Sequence, residues 1–507
     1  MNTTQAVRRP VKTPVQSSVI IYLVLLMFGL PLIVTNGYFN ITETKSVYFY
    51  IISSALVISA AFFSSKKDNI KKKNQPETPL LERMDLSLTD KAMLIFCAFV
   101  FVSAVFSKHP DVWLGVASRY QGFLTVLVYV AVYFIISRNF TAAQSFLLFS
   151  VLAFSIVSIF GVFNCFDIDI FGLYDGINPN YKTMFLSTIG NINFYSSYMC
   201  LLMPLVVSGF CLSEGKISRG VYTAALVIGS FGMMVTSSES FVVGFASSLM
   251  IMPLFFYGRL HRFKRYLISL IVIVISSQAY MAVYRISGRG NIAVSKLLSV
   301  FVNPYVAVTV ILLCLGAYLL VTKAPKQVKT LKIIYIVLLV IFVLLIAVCF
   351  VLANTVGLEQ LDSLFKITSE WGTYRGKIWR FCLNRFRSFG LKDKLIGIGP
   401  ESLRYITAGV KLFDHQTLDQ AHNEYLQYLV TTGVLGVSAY IGVIGTTIYT
   451  VIKKLRESTL AVALLAGLIS YWMQAAVNIA QPFTTPIVYI YIACIAGMAR
   501  NAEKSSQ

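Results

Sequence analysis

One of the four histidines in the chain opens a long apolar run. Asp419-Gln-Ala-His-Asn-Glu-Tyr425 leads directly into an uncharged stretch that ends at Ile452. Imidazole is the side chain best matched to proton transfer near neutral pH. Asp419 or Asn423 is placed to cap a helix starting here. A straight helix from His422 to Ile452 would be about 46 Å long at about 1.5 Å per residue, against a bilayer core of about 30 Å. Lys453 and Lys454 fix its inner end. His422 is then expected at or above the outer headgroups, the depth of a lipid-linked phosphate. Taken alone, the same position also suits a capping or interfacial histidine.

The loop before it, from about 353 to 422, carries Lys366, Arg375, Lys377, Arg380, Arg385, Arg387, Lys392, Lys394, Arg404 and Lys411. A basic surface outside a membrane suits an anionic partner such as a diphosphate or a phospholipid headgroup. From Tyr374 to Phe389 the spacing puts Ile378, Trp379, Cys382, Phe386 and Phe389 on one helical face, with Lys377, Arg380 and Arg387 on the other. The pattern predicts an amphipathic helix lying in the membrane interface. Arg375 falls on the apolar face, so it either snorkels or points into a site. Leu395-Ile-Gly-Ile-Gly-Pro400 follows, a turn that would let backbone approach a ligand. Two earlier outer segments are also polar. Ser107–Gly115 leads to Arg119-Tyr-Gln-Gly122, with Trp113 as an interface anchor. The 164–193 loop holds Lys182 and ends in Gly190-Asn191-Ile192-Asn193. Asn191 and Asn193, if buried at a helix start, need polar partners; ordinary capping is the alternative.

The elements that must position these residues follow from hydropathy. Of 507 residues, 57% are hydrophobic and 13% charged, about half the charge of a soluble domain. The apolar runs are long and do not alternate, which selects helices over a barrel. They predict about fourteen spans, near 18–35, 46–63, 91–107, 122–137, 141–163, 192–212, 220–236, 240–257, 266–284, 297–321, 333–352, 423–452, 459–478 and 484–499. The expected fold is an all-α integral membrane protein with one long extracytoplasmic loop containing amphipathic helices. It divides into an N-terminal bundle (1–352), the outer loop (353–421) and C-terminal transmembrane helices (422–507). The first span has a basic flank like a signal peptide but reads as a retained anchor.

The net charge of +21 does not imply nucleic acid, because the basic clusters recur in every second loop. That is the positive-inside pattern, with anionic lipid contacts as its companion. It puts both termini in the cytoplasm and the protein in the plasma membrane. The eight cysteines form no C-x-x-C pair; Cys165 and Cys382 fall in outer loops, where one bridge is possible. His109, His261, His415 and His422 show no metal-like spacing. No metal and no cofactor are expected.

Together these residues resemble the O-antigen ligase/polymerase superfamily of membrane glycosyltransferases, of the Gram-positive type. Asp419-Gln-Ala-His422-Asn-Glu-Tyr-Leu-Gln with Thr432-Gly-Val-Leu-Gly436 resembles the family's H-N-x-x-L…G-x-x-G segment. Tyr374-Arg375-Gly-Lys-Ile-Trp379 with Leu395–Pro400 resembles its R-x-x-x-W…G-x-G-P run. Trp113…Arg119-Tyr-Gln-Gly122, Gly190-Asn-Ile-Asn193 and Tyr38–Lys45 resemble N-terminal patterns. The resemblance implies an inverting, metal-independent enzyme of the GT-C type. It would take a glycan from undecaprenyl diphosphate on the outer leaflet and pass it to an acceptor hydroxyl on another lipid-linked glycan, a lipid or a protein. It assigns catalysis to His422, Arg375 and Glu424. Substrate binding falls to Arg119, Lys182, Asn191, Asn193, Trp379, Arg404, Asp419 and Asn423. One position departs: where the family has Ser-Arg-Gly, this chain reads Thr236-Ser-Ser-Glu-Ser240. An anion-binding arginine would then come from elsewhere, for example Arg285 or Arg289. The competing readings are a lipid-glycan transporter or flippase and a non-catalytic cell-wall assembly protein. The first would show acidic residues within spans or an inverted repeat, and neither is evident.

Overall fold

A computed structural model describes residues 12–71, 85–116, 119–141, 144–256, 259–288, 295–324, 328–356, 365–408, 410 and 418–506. In lipid the backbone must satisfy its own hydrogen bonds, and the apolar runs accordingly become helices. In chain order these are α1 Pro14–Leu32, α2 Ile41–Lys71, α3 Leu88–Val105, α4 Phe123–Asn139, α5 Gln144–Cys165, α6 Ile192–Leu212 and α7 Lys216–Met234. Then come α8 Glu239–Phe256, α9 Leu260–Ser287, α10 Lys296–Val302, α11 Pro304–Lys323 and α12 Val328–Thr355. The segment between α12 and α16 contributes α13 Trp371–Ser388, α14 Leu391–Ile396 and α15 Leu403–Thr407. The chain closes with α16 Glu424–Lys454, α17 Thr459–Ala475 and α18 Thr485–Ser506.

Eleven helices among the described residues are long and apolar enough to cross a membrane, and α4 and α17 are shorter apolar helices. With α18 they cover the fourteen anticipated runs. One run is interrupted: Asn303 ends α10 and its side chain accepts from the Tyr305 amide at 2.9 Å, starting α11 at Pro304. Proline lacks the N–H that a continuous helix needs. A two-stranded antiparallel hairpin, Phe185–Leu186 with Gly190–Asn191, sits at the start of α6.

The core is centred on α6, whose side chains are buried almost throughout. It packs against α17, α7, α8 and α9, while α16 packs on α3 and α18 on α4. At the other extreme, α12 has a mean hydropathy of 3.6 and is almost entirely exposed, as suits a helix surrounded by lipid. The short helices α13–α15 sit on the start of α16 and on the segment joining α3 to α4.

Candidate functional site

The site is built around a break in α16. Gly433 takes φ +71° and ψ −175°, a conformation reserved for glycine. The break frees the carbonyls of Val430 and Thr431. They accept from the amides of Ile398 and Gly399 at 3.3 and 2.9 Å, and Ser103 Oγ also donates to Thr431 O at 2.7 Å. A Cβ on Gly397 would overlap the Thr431 carbonyl, and one on Gly433 would overlap Leu395. The Leu395–Pro400 turn was expected to bring backbone to a ligand. Instead it brings backbone to the broken helix. The break also corrects the straight-rod length expected from His422 to Ile452.

Above the break, the chain entering α16 is pinned from several sides. The Ala421 carbonyl accepts from Trp379 Nε1 at 3.1 Å, and the Ala421 amide donates to Gln427 Oε1 at 2.9 Å. Asn423 caps α16, accepting from the Leu426 amide at 3.0 Å. Between these anchors His422 is held at φ +50°, in the left-handed region. Such backbone costs about 1–3 kcal/mol and persists only where its surroundings enforce it. Gly372, Thr373 and Tyr374 also take positive φ, so the regular part of α13 starts at Arg375.

Charges gather around His422. Burial pushes its imidazole down to about 4, the charges of Arg375 and Arg119 push the same way, and Asp419 opposes them. It is therefore neutral at physiological pH. Arg119, half-buried, forms an ion pair with Asp419 at 2.9 Å. Arg375 is lowered by burial and supported by Glu239. Glu239 is exposed in the first turn of α8. A neutral imidazole thus lies in the field of Arg375, Arg119 and Asp419, with Glu239 acting on Arg375, so that the charges come from four separate segments. Arg119 supplies the second cation. Arg285 is exposed in the last turn of α9, and Arg289 lies outside the described residues.

Other expected residues are placed differently. Arg404 pairs with Asp111, which also accepts from Tyr405, and His109 stacks on the Tyr405 ring at 4.0 Å. This group ties the α3–α4 segment to α15 at the rim. Glu424 turns into the bundle and accepts from Tyr440 at 2.9 Å and Tyr471 at 3.1 Å. Asn191 caps α6 through the Asn193 amide at 2.9 Å, and the Asn193 carbonyl accepts from Asn478 at 3.2 Å. Lys182 is exposed on a separate turn, 5.6 Å from the Tyr174 ring and beside Asp167, Asp169 and Asp175. His415 and Lys411 lie outside the described residues. The apolar face of α13 does not lie on lipid: Ile378 and Cys382 pack with Leu403, Leu426 and Val430. The wheel identified the face correctly, but α15 and α16 cover it. Cys165 and Cys382 form no bridge; Cys165 meets the Tyr280 hydroxyl at 3.0 Å. Among the described residues no cluster could hold a metal ion.

Residues 303–441 match the sequence model of a family described as O-antigen ligase. Over those residues the chain is similar to that family, which supports the resemblance to the O-antigen ligase/polymerase superfamily. No curated protein matches the chain. The matched segment spans Arg375, Trp379, Arg404, Asp419, His422, Asn423 and Glu424, and also the α16 break. Arg119 and Glu239 join it from outside. Sequence reasoning missed Glu239, Glu401, Gln420 and Gln427 as site-supporting groups. The readable signal for Glu401 was an acid directly after Gly399-Pro400 in an otherwise apolar turn.

Proposed function

We propose that this protein transfers or polymerises a glycan from an undecaprenyl-diphosphate-linked donor to an acceptor hydroxyl at the outer face of the plasma membrane, with both termini cytoplasmic. The observation that carries the reading is His422, a neutral imidazole held in left-handed backbone within the field of Arg375 and Arg119. The glycosidic bond to the diphosphate breaks and leaves negative charge on the phosphate, which the two arginines stabilise. The acceptor oxygen attacks the anomeric carbon from the opposite face, inverting it, and its proton passes to His422. Asp419 and Glu239 hold the arginines until the anion arrives. A bound diphosphate would offset the arginine field and raise the proton affinity of His422, making it a better base once the donor is seated. In this reading the arginines neutralise the leaving group and no metal is needed. Partners are the lipid-linked donor, a glycan or lipid-linked acceptor, and membrane lipids.

The test is an analysis of lipid-linked glycans in a strain lacking the gene. Accumulated single repeat units mean a polymerase, and accumulated full-length chains mean a ligase. An unchanged lipid-glycan pool would reject the reading.

A further inference from the structure

Against the Asp419–Asn423 segment lies a small, partly open cavity of about 30 Å³ whose lining includes Glu401, Gln420, Glu424, Gln427, Gln121 and Tyr428. A polar space of about 10–15 Å³ already holds one water. Glu401 is buried and, like His422, sits in left-handed backbone, at φ +57°. Its Oε1 accepts from Gln420 Nε2 at 3.0 Å. Gln427 Nε2 is a buried atom without a hydrogen-bond partner among the described residues, Glu401 Oε2 has none beyond the Val116 backbone, which acts on its carboxyl, and both residues line this cavity. Two under-satisfied polar groups on residues that line one small cavity can share an ordered water. Gln420 lies two residues before His422, and Gln427 holds the Ala421 amide. The cavity lining therefore supports the histidine segment.

We propose that Glu401 is a positioning residue for transfer: as a neutral acid it holds the strand carrying His422 through Gln420 and through a water shared with Gln427. The inference rests on the transferase reading. The groups acting on Glu401 agree with a neutral acid. Burial raises it to about 7; Gln420, Arg119 and the Val116 backbone pull it down, and Asp419 pushes it up. Glu424 lines the same cavity. Ionisation above about 7 would put a new negative charge beside Asp419 and Glu424 and remove the donor to the water.

The experiment uses full-length protein in lipid nanodiscs, read in two ways. Infrared titration should show carboxylic-acid carbonyl absorption that fades as pH rises through about 7, and the wild-type minus Glu401→Gln difference should isolate the part that Glu401 contributes. Transfer by the wild type should decline above the same pH. Glu401→Gln, which keeps both hydrogen bonds without ionising, should stay active there, and Glu401→Ala should lose about tenfold at every pH. An inactive Glu401→Gln, an unchanged alkaline decline in it, or a wild-type minus Glu401→Gln infrared difference without the band would each overturn the proposal. Absence of transfer by the wild type would instead reject the transferase reading and the positioning role with it. The infrared arm would still report whether Glu401 holds a proton.

Discussion

In α6 almost every side chain from Phe194 to Leu212 is buried, and the helix packs along α17 and α7. Around His422 the chain turns sharply, with positive φ at Tyr120, Thr373, Tyr374, Glu401 and His422. All five are non-glycine residues, for which that region is costly. The centre of the bundle is made of regular helix with apolar contacts. The cap around His422 is made of strained backbone held by hydrogen bonds between side chains and backbone: Trp379 and Gln427 on Ala421, Ser103 on Thr431 and Ser107 on Ile398. The contrast shows where specificity of geometry is needed. A core helix tolerates small shifts along its neighbour, whereas a transfer site must hold a few groups within about half an ångström.

If that division is right, changes in the cap should affect activity and leave the bundle folded. The largest effect is expected from His422→Ala, which should lower product formation about 10²–10⁴-fold with membrane insertion unchanged. Comparable loss of folded protein would mean that the cap is structural. Next, Arg375→Ala should cost roughly ten- to a hundredfold, from the loss of a charge-assisted contact of about 1.5–3 kcal/mol. Arg387→Ala, on the exposed side of α13, should be silent; equal effects would favour a diffuse headgroup role. Within α16 the comparison can be made on glycines. Gly433→Ala should destabilise by about 1–3 kcal/mol in thermal unfolding. Gly445→Ala, where an added Cβ meets nothing within 4 Å, should be neutral or gain up to about 1 kcal/mol.

The smallest effect concerns acid. The His422 imidazole is lowered from 6.5 to about 4 by burial and the two arginines. Between those values the unfolded chain binds more protons than the folded one, so stability falls as pH drops through that window and is flat above it. The thermal midpoint of His422→Gln should lose less than the wild type between pH 7 and about 5. Equal losses would mean that His422 is not held neutral.

Much of this division was legible in the sequence. Run length and charge placement gave the spans, because lipid imposes a simple rule on the backbone. The apolar face of α13 was legible for the same reason, but its covering partner was not, since a pattern does not say whether lipid or protein meets it. The α16 break lay inside an apolar run that reads as one helix, and only the docking of Leu395–Pro400 explains it. The Arg119–Asp419 pair joins residues 300 apart in sequence, which no local spacing shows. Glu424 looked like part of the reactive cluster because it adjoins His422, yet one helical step turns it toward Tyr440 and Tyr471.

The central claim is that the cap carries out transfer chemistry, and reconstituted vesicles test it most directly. Purified wild-type protein would be given lipid-linked donor with a labelled glycan and an acceptor on the outer side. The account predicts that label appears on the acceptor while undecaprenyl diphosphate is released one for one, and that His422→Ala does neither. Intact labelled donor crossing to the other leaflet with no transfer would contradict it.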